Sequence, residues 1–443
     1  MTMTKNAQLV EAAIQRRDPV VYLTKAMSPA MEGFGVVLTE TEQRPEERVR
    51  IRRKREPYAH ALSIVNDHIT VKQEIIDDAA TSYEKIADRL VSRLDWPPGA
   101  IKVFPQGSAS TKTLIRTVGN RKFDIDAVCE IDLSQVEAQD PMAFFNAIGD
   151  ALEGLKVEKR RRCWSINILD KPFYVEFTPS VPLAKVPLTR RQSHGLKHAE
   201  PAFLGTALAV VNTPTQDWKT SNPLGIRDWV NRVAERKIVL ALTLEAYDSA
   251  VRANIEPVGK QSVDVEETLR VAIRLFKRHR DMCVHRGLLT SEVQPISIIL
   301  VTLLTICYDG LADLIEGRYR NPYFHVMDAL VALADLLPEM ISRYPDLGYY
   351  LANPTVVDEN FAERWNDDEG ERAEAFQTWC GLLRADLLSI AALSDAEKIK
   401  EKTLEVFGCT AAERGPGGGN GGSEPITALA PPPKPAPRTS GLA

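Results

Sequence analysis

Two aspartates within an apolar strand constrain this chain more than any other feature of its sequence. Asp124 and Asp126 alternate with Phe123, Ile125 and Ala127, and alternation with a period of two predicts a β-strand. Both carboxylates then project from the same face of that strand. Two like charges on one face of a half-buried strand are costly unless a cation lies close to them. The pattern therefore predicts a site that collects positive charge.

Magnesium suits such a pair of acids, because it prefers hard oxygen ligands and is commonly bound by one or two carboxylates together with substrate phosphates. A third acid from a neighbouring strand would complete a two-metal site for in-line phosphoryl transfer. Glu176 is the candidate, since it lies between Val175 and Phe177 in a second apolar strand. Mn²⁺ is an alternative metal. Two plainer interpretations stay open: the aspartates pair with Arg121 and Lys122, and Glu176 is an exposed acid of an edge strand.

A Gly-Ser pair precedes the first of these aspartates, with its serine sixteen residues earlier. Gly107 allows the backbone to approach a phosphate group closely. Ser108, Ser110 and Thr111 are typical of the start of a helix, where free N–H groups favour anions. Lys112 adds a positive charge. A triphosphate held by this segment would present its oxygens to metal ions on the two aspartates.

Composition narrows the class of protein. The chain has 443 residues, enough for two or three domains, and its net charge of −5 gives no overall attraction to nucleic acid. Its six cysteines form no CxxC pair, which favours a reducing compartment. The N-terminal segment lacks the apolar core of a signal peptide, and the apolar run at residues 296–307 is too short to span a bilayer. We expect a cytoplasmic protein with no membrane contact and no nucleic-acid activator.

The hydrophobic pattern changes along the chain from mixed to helical. Residues 61–94 have helical periodicity, and short strands are predicted at 101–104, 122–131, 164–169 and 173–181, around a helix at about 141–155. Residues 184–225 are rich in Pro, Gly and Asn and predict loops. Beyond residue 226 the periodicity predicts helices almost throughout, at 264–286, 296–309, 323–344 and 361–393.

These patterns predict an α+β protein with four parts. The first is an N-terminal helical and charged segment, 1–60. It is followed by a catalytic lobe with a mixed or antiparallel sheet, 61–215, and by an all-helical second lobe, 216–408. The Gly- and Pro-rich segment 409–443 cannot bury enough apolar surface to order itself, so we expect a disordered tail.

Three segments around the candidate site resemble the polymerase-β-like nucleotidyltransferase superfamily: QGSASTKT, FDIDAV and YVEFTPSVP. In that superfamily a GS motif precedes a pair of acids, and a third acid follows on another strand. The resemblance implies that Asp124, Asp126 and Glu176 are the catalytic, metal-binding acids. It also implies that Ser108, within the segment from Gln106 to Lys112, binds phosphate. The third acid is often Asp in the superfamily, and here it is Glu.

Segments in the second half of the chain resemble a narrower family. SNPLGIRDW, ETLRVAIRLFKRHRD and PISIILVTLL are similar to the helical lobe of the bacterial cGAS/DncV-like nucleotidyltransferases, or CD-NTases. NPTVVDENFAERW is similar to a segment that these enzymes share with the oligoadenylate synthases. The resemblance covers roughly residues 60–400. It implies a basic contact to the triphosphate from the helix that carries Lys277 and Arg280. A surface cation on an amphipathic helix is the plainer interpretation of both.

The resemblance implies a bilobed cyclic oligonucleotide synthase that makes a cyclic di- or trinucleotide from ATP, either alone or together with GTP or another NTP. Such enzymes serve antiphage signalling of the CBASS type, where the product activates an effector. In some members the C-terminus is joined to other molecules by conjugation enzymes, so conjugation of the tail is a further expectation. The alternatives are a linear oligoadenylate synthase, an RNA-end nucleotidyltransferase, and an inactive scaffold that binds partners through its tail.

Two further motifs give weaker signals. His194 and His198 have the spacing of a helical metal pair, but a glycine lies between them and no cysteine or acid completes a zinc site, so a loop is expected. The segment EKRRRCW, 158–164, is either a solvated turn or a basic patch for a ligand or partner.

Overall fold

The protein is described by a computed structural model over residues 3–17, 45–97, 99–119, 121–132, 140–239, 260–318, 323 and 325–410. The expected tail lies outside the described residues from 411 onward. Residues 18–44 of the expected N-terminal segment also lie outside them. The fold is α+β with a mixed sheet, as the sequence predicts.

A seven-stranded sheet forms the centre of the first half of the chain. Its main path runs β1-β2-β5-β4-β3, and β6 pairs with both β5 and β7. Among the described strands of this sheet, β2 and β5 form the one parallel pair, and the remaining pairs are antiparallel. The strands are β1 (Ile101–Pro105), β2 (Phe123–Ile131), β3 (Val157–Lys159), β4 (Trp164–Asn167), β5 (Phe173–Pro182), β6 (Leu208–Asn212) and β7 (Asp217–Ser221).

Helices form most of the rest of the described chain, and they begin and end as follows: α1 (Lys5–Arg17), α2 (Pro45–Ile69), α3 (Gln73–Leu94), α4 (Gly107–Ser110), α5 (Pro141–Ala151), α6 (Leu188–Ser193), α7 (Pro223–Ala234), α8 (Thr268–His285), α9 (Ser297–Arg318), α10 (Val326–Leu336), α11 (Glu371–Ala391) and α12 (Ala396–Val406). The connection between the parallel strands β2 and β5 contains α5 followed by β3 and β4, since parallel strands cannot be joined by a tight turn. The start of α5 is capped by Asp140, whose side chain accepts from the N–H groups of Met142 and Ala143.

Several predicted elements were wrong in extent. The segment 184–225 contains the paired strands β6 and β7 rather than loops alone. The helical pattern of 61–94 belongs to two helices that break at residues 70–72. The pattern of 323–344 ends as a helix at Leu336, and a hairpin of β8 (Ser342–Tyr344) and β9 (Gly348–Tyr350) follows.

Two large hydrophobic cores account for most of the buried apolar residues in the described part of the chain. One lies against the sheet and includes Tyr83 of α3, Phe145 of α5 and Phe177 of β5. The other is formed by helices, from α1 through α12, and includes Phe276 and Trp379. Helix α2 crosses the expected domain boundary at residue 60, and its described buried residues from 58 to 69 lie mainly in the helical core.

Helix α9 lies at the centre of the helical core. Among the described residues it contains the one stretch long and apolar enough to cross a membrane, Ser297–Glu316, and 72% of its apolar window is buried inside the protein. The helix extends well beyond the apolar run at 296–307, so the expectation that this segment is too short to span a bilayer was wrong. Burial is the observation that makes it a core helix of this fold.

Candidate active site

The three predicted acids lie on the two parallel strands. Asp126 of β2 is the Cα partner of Glu176 of β5, and Asp124 precedes Asp126 by two residues on the same face of β2. Strand β5 lies between β2 and β4, so Glu176 is not an acid of an edge strand. Lys122 donates to Asn167 Oδ1 (2.7 Å) and to the carbonyl of Ile168 (2.8 Å), not to the aspartates.

Burial and the repulsion of neighbouring carboxylates dominate the electrostatics of Asp126 and Glu176. Burial, and then the charges of Asp124 and Glu176, raise the pKa of Asp126 well above its usual range, while Lys277 opposes the shift. Burial and the charge of Asp124 also raise the pKa of Glu176, against a hydrogen bond from Cys163 and the charge of Arg160. Negative charge is therefore concentrated beyond what the neighbouring cations neutralise, which is the condition under which a divalent cation is stabilised.

The donor set fits a hard divalent cation that shares its ligands with a substrate. No group of three His, Cys, Asp or Glu side chains in the described part of the chain is arranged to hold a metal ion by itself. Mg²⁺ commonly binds one or two carboxylates and completes its shell with waters and substrate phosphates. The acids thus provide a partial shell, and phosphate oxygens would have to supply other ligands.

Residues 106–116, which we call the Gly-Ser loop, comprise the short helix α4 and the residues on either side of it. This loop lies directly against the second aspartate. Gly107 has φ +57°, and a Cβ added to it would lie 2.5 Å from Asp126 Oδ2. The N–H of Gln106 donates to the carbonyl of Asp126 (3.0 Å), and so does the hydroxyl of Tyr83 (3.0 Å). Only glycine fits at position 107 without moving the carboxylate. The loop and the acids therefore form one unit.

A cleft of about 260 Å³ opens beside this unit. Its lining includes Gly107, Ser108, Asp124 and Asp126 from the sheet side, and Lys277, Arg280, Asp281 and Ser297 from α8 and the start of α9. The predicted phosphate loop and the predicted basic helix thus face the same space. Glu176 is not among the residues that line the cleft, but it lies next to Asp126 because the two residues are paired in the register of β2 and β5.

The predicted nucleotide-binding residues outside the acids occupy different environments. Lys277 is only 5% exposed, and its Nζ donates to the carbonyl of Thr113 (3.0 Å). Burial, followed by the charge of Arg280, lowers the pKa of Lys277 to about 8. Gln106 Nε2 donates to Thr178 Oγ1 (3.2 Å) beside the cleft. Lys112 is exposed, has φ +58°, and is not part of the cleft lining.

The two weaker motifs have different outcomes. Nδ1 of His194 accepts from the N–H of Trp218 (3.1 Å), which makes it a structural contact. In the basic run, Arg160 pairs with Glu158 (3.0 Å) and Arg161 donates to Asn212 Oδ1 (3.1 Å). The run connects β3 and β4 next to the third acid, so it influences the site through its charge.

One residue beside the site, Cys163, was not predicted from the sequence. The thiol of Cys163 donates to Glu176 Oε2 (3.7 Å), and the charge of Glu176 contributes, after burial, to raising the thiol pKa. Cys163 immediately precedes β4, whose antiparallel register brings it to the third acid. Nothing in the local sequence indicates that contact, because it depends on the pairing of two strands.

No protein-family model matches this sequence. A curated protein of Roseivirga ehrenbergii named c-di-GMP synthase is 26% identical over 296 residues, which cover 65% of this chain and 67% of that protein. Among solved structures, the Bradyrhizobium diazoefficiens CD-NTase CdnG in complex with GTP superposes with a TM-score of 0.51 at 17% identity, over 79% of this chain and 98% of that chain. The chain therefore has the polymerase-β-like nucleotidyltransferase fold of the CD-NTases.

Proposed function

We propose that the protein is a nucleotidyltransferase that makes a cyclic di- or trinucleotide from ATP, either alone or together with GTP or another NTP. The observation that carries the proposal is the pairing of Asp126 with Glu176 on parallel strands, with Asp124 on the same face and Gly107 closed against Asp126. The similarity to a protein named c-di-GMP synthase supports a cyclic product. A role in CBASS-type antiphage signalling, with an effector that receives the product, follows as part of the same proposal.

Each group in the cleft has a role in that reaction. Asp124, Asp126 and Glu176 would hold Mg²⁺, or Mn²⁺, which when bound neutralises the charge that develops on the phosphate oxygens. The loop at Gly107 and Ser108 approaches the triphosphate from the sheet side. Lys277 supplies positive charge from the helical side, at a position fixed by its bond to Thr113. Substrate phosphates are thereby placed between fixed positive and negative groups, and positioning of this kind accounts for much of nucleotidyl transfer.

The depressed pKa of Lys277 predicts a pH-dependent KM. Above about pH 8 the ammonium loses its proton, and its attraction to the anionic triphosphate disappears. We expect the KM for MgATP to rise up to about tenfold over the next pH unit, as measured by initial rates across buffers. Lys277→Arg keeps its charge throughout this range, so its KM should stay flat. An equal rise in that variant would assign the effect to another group.

The proposed function is tested by identifying the product. The purified protein is incubated with all four NTPs and Mg²⁺, the mixture is treated with phosphatase, and the resistant species are analysed by mass spectrometry. A cyclic oligonucleotide has no terminal phosphate and survives. Phosphatase-sensitive linear oligoadenylates would instead support a linear oligoadenylate synthase, and extension of an added RNA would support an RNA-end nucleotidyltransferase. If no metal-dependent turnover is detected, the inactive scaffold is the interpretation that fits.

A further inference from the structure

In the Gly-Ser loop, the backbone carbonyl groups of every second residue from 109 to 113 accept hydrogen bonds from side chains of the helical half of the protein. The pairs are Gln261 Nε2 with the carbonyl of Ala109 (3.0 Å), Arg270 Nε with that of Thr111 (3.3 Å), and Lys277 Nζ with that of Thr113 (3.0 Å). We call Gln261 and Arg270 the loop anchors. Lys277 is not a loop anchor in this sense, because it lines the cleft and has a proposed direct role toward the triphosphate.

The loop anchors are themselves held in place. Arg274 is fully buried, and its Nη1 donates to the carbonyl of Gln261 (2.7 Å) while its Nη2 donates to that of Asn66 in α2 (3.2 Å). Arg270 also donates to Asn231 Oδ1 of α7 (3.1 Å) and pairs with Glu267. Each anchor is thus tied to a second element of the helical half, which limits how far its donor atom can move.

The apolar residues of the loop connect the same two halves of the protein. Ala109 and Leu114 lie in the sheet core, whereas Ile115 lies in the helical core. The N–H of Arg116 donates to the carbonyl of Ile69 at the end of α2 (2.8 Å). The loop is therefore fixed to β2 at Gly107 and to the helices from residue 109 onward.

We propose that the loop anchors Gln261 and Arg270 are positioning residues for the phosphate-binding loop. They set the distance between Gly107 and Ser108 on one side of the cleft and Lys277 on the other, because α8 carries both Arg270 and Lys277. The inference rests on the proposed function for its substrate. Neither anchor is among the residues that line the cleft, so both act through the loop rather than on the nucleotide.

The test replaces each anchor by a side chain without a donor, as Gln261→Met and Arg270→Met. Losing one hydrogen bond that orients the loop should raise the KM for MgATP roughly two- to tenfold, with a smaller change in kcat. Hydrogen exchange should also become faster at the amides of residues 108–113, while that of β2 stays unchanged. Arg270→Lys retains one donor and should recover much of the wild-type KM; it also serves if Arg270→Met does not fold.

Arg278→Met is the matched control. Arg278 lies on the same helix, is 3% exposed, and donates to the carbonyls of Phe407 and Gly408 (both 2.9 Å), away from the loop. It should lower the Tm without changing the KM. Anchor variants that alter KM and loop exchange no more than Arg278→Met would overturn the proposal. Because exchange is measured without turnover, a wild-type protein that consumes no NTP would refute the proposed function while the anchors could still be judged.

Discussion

Asp126→Asn is expected to lower kcat/KM for NTP turnover on the order of a thousandfold, because neutralising charge on reacting phosphates is worth several kcal/mol. Asp126 lies where β2, β5 and the Gly-Ser loop meet, because it is the register partner of Glu176 and its carboxylate lies directly against Gly107. Asparagine keeps the shape of the side chain but removes the charge that a divalent cation requires. The measurement is the initial rate with MgATP and GTP against the wild-type protein.

Stability should move in the opposite direction. The pKa of Asp126 is raised, which means that ionising it at neutral pH costs folding free energy, and asparagine removes that cost. We therefore expect a Tm at pH 7 equal to or above that of the wild type. The control is Glu130→Gln, on the same strand but outside the cleft lining, opposite Lys102. The Glu130→Gln protein should retain NTP turnover. If the Asp126→Asn protein also retained turnover, the proposed metal-binding role of Asp126 would be excluded.

The strands that carry the acids could be predicted because their signal is local. Asp124 and Asp126 alternate with buried Phe123 and Ile125, and that pattern needs no knowledge of partners. The strands β6 and β7 were missed for the opposite reason. Their segments lie among Pro, Gly and Asn, all five residues of β6 are buried without alternation, and the pairing of β6 with β5 joins residues about thirty positions apart. Long-range pairing of this kind overrides local loop propensity.

The candidate site was predictable in its residue types but not in its geometry. That an acid on the second apolar strand would lie beside Asp126 depended on a parallel register across fifty residues. Lys112 is close to Ser108 in sequence, yet its side chain is exposed and is not among the residues that line the cleft. Lys277, which the family resemblance also implied and which lies more than 160 residues from Ser108 in sequence, does line the cleft. Residues that are close in sequence indicate which kind of ligand a site binds, whereas tertiary packing determines which basic side chain lies in that site.

Gly107→Ala is expected to abolish most activity while the protein still folds. The new Cβ would lie 2.5 Å from Asp126 Oδ2, a separation that forces either the loop or the carboxylate to move. Displacing a reacting group by about 1 Å can cost on the order of a hundredfold in rate, so we expect a loss of at least that size in kcat/KM. A left-handed alanine adds about 1–2 kcal/mol of backbone strain, which should appear as a lower Tm.

Gly195→Ala separates the steric effect from the backbone strain. Gly195 has the same φ of +57°, and a Cβ at that position would meet no atom within 4 Å. It should therefore lower the Tm through strain alone and leave NTP turnover intact. If Gly107→Ala loses no more activity than Gly195→Ala, the close approach of the loop to Asp126 has no catalytic importance. If both variants lose stability equally but only Gly107→Ala loses turnover, the contact between Gly107 and Asp126 is what places the phosphate loop against the acids.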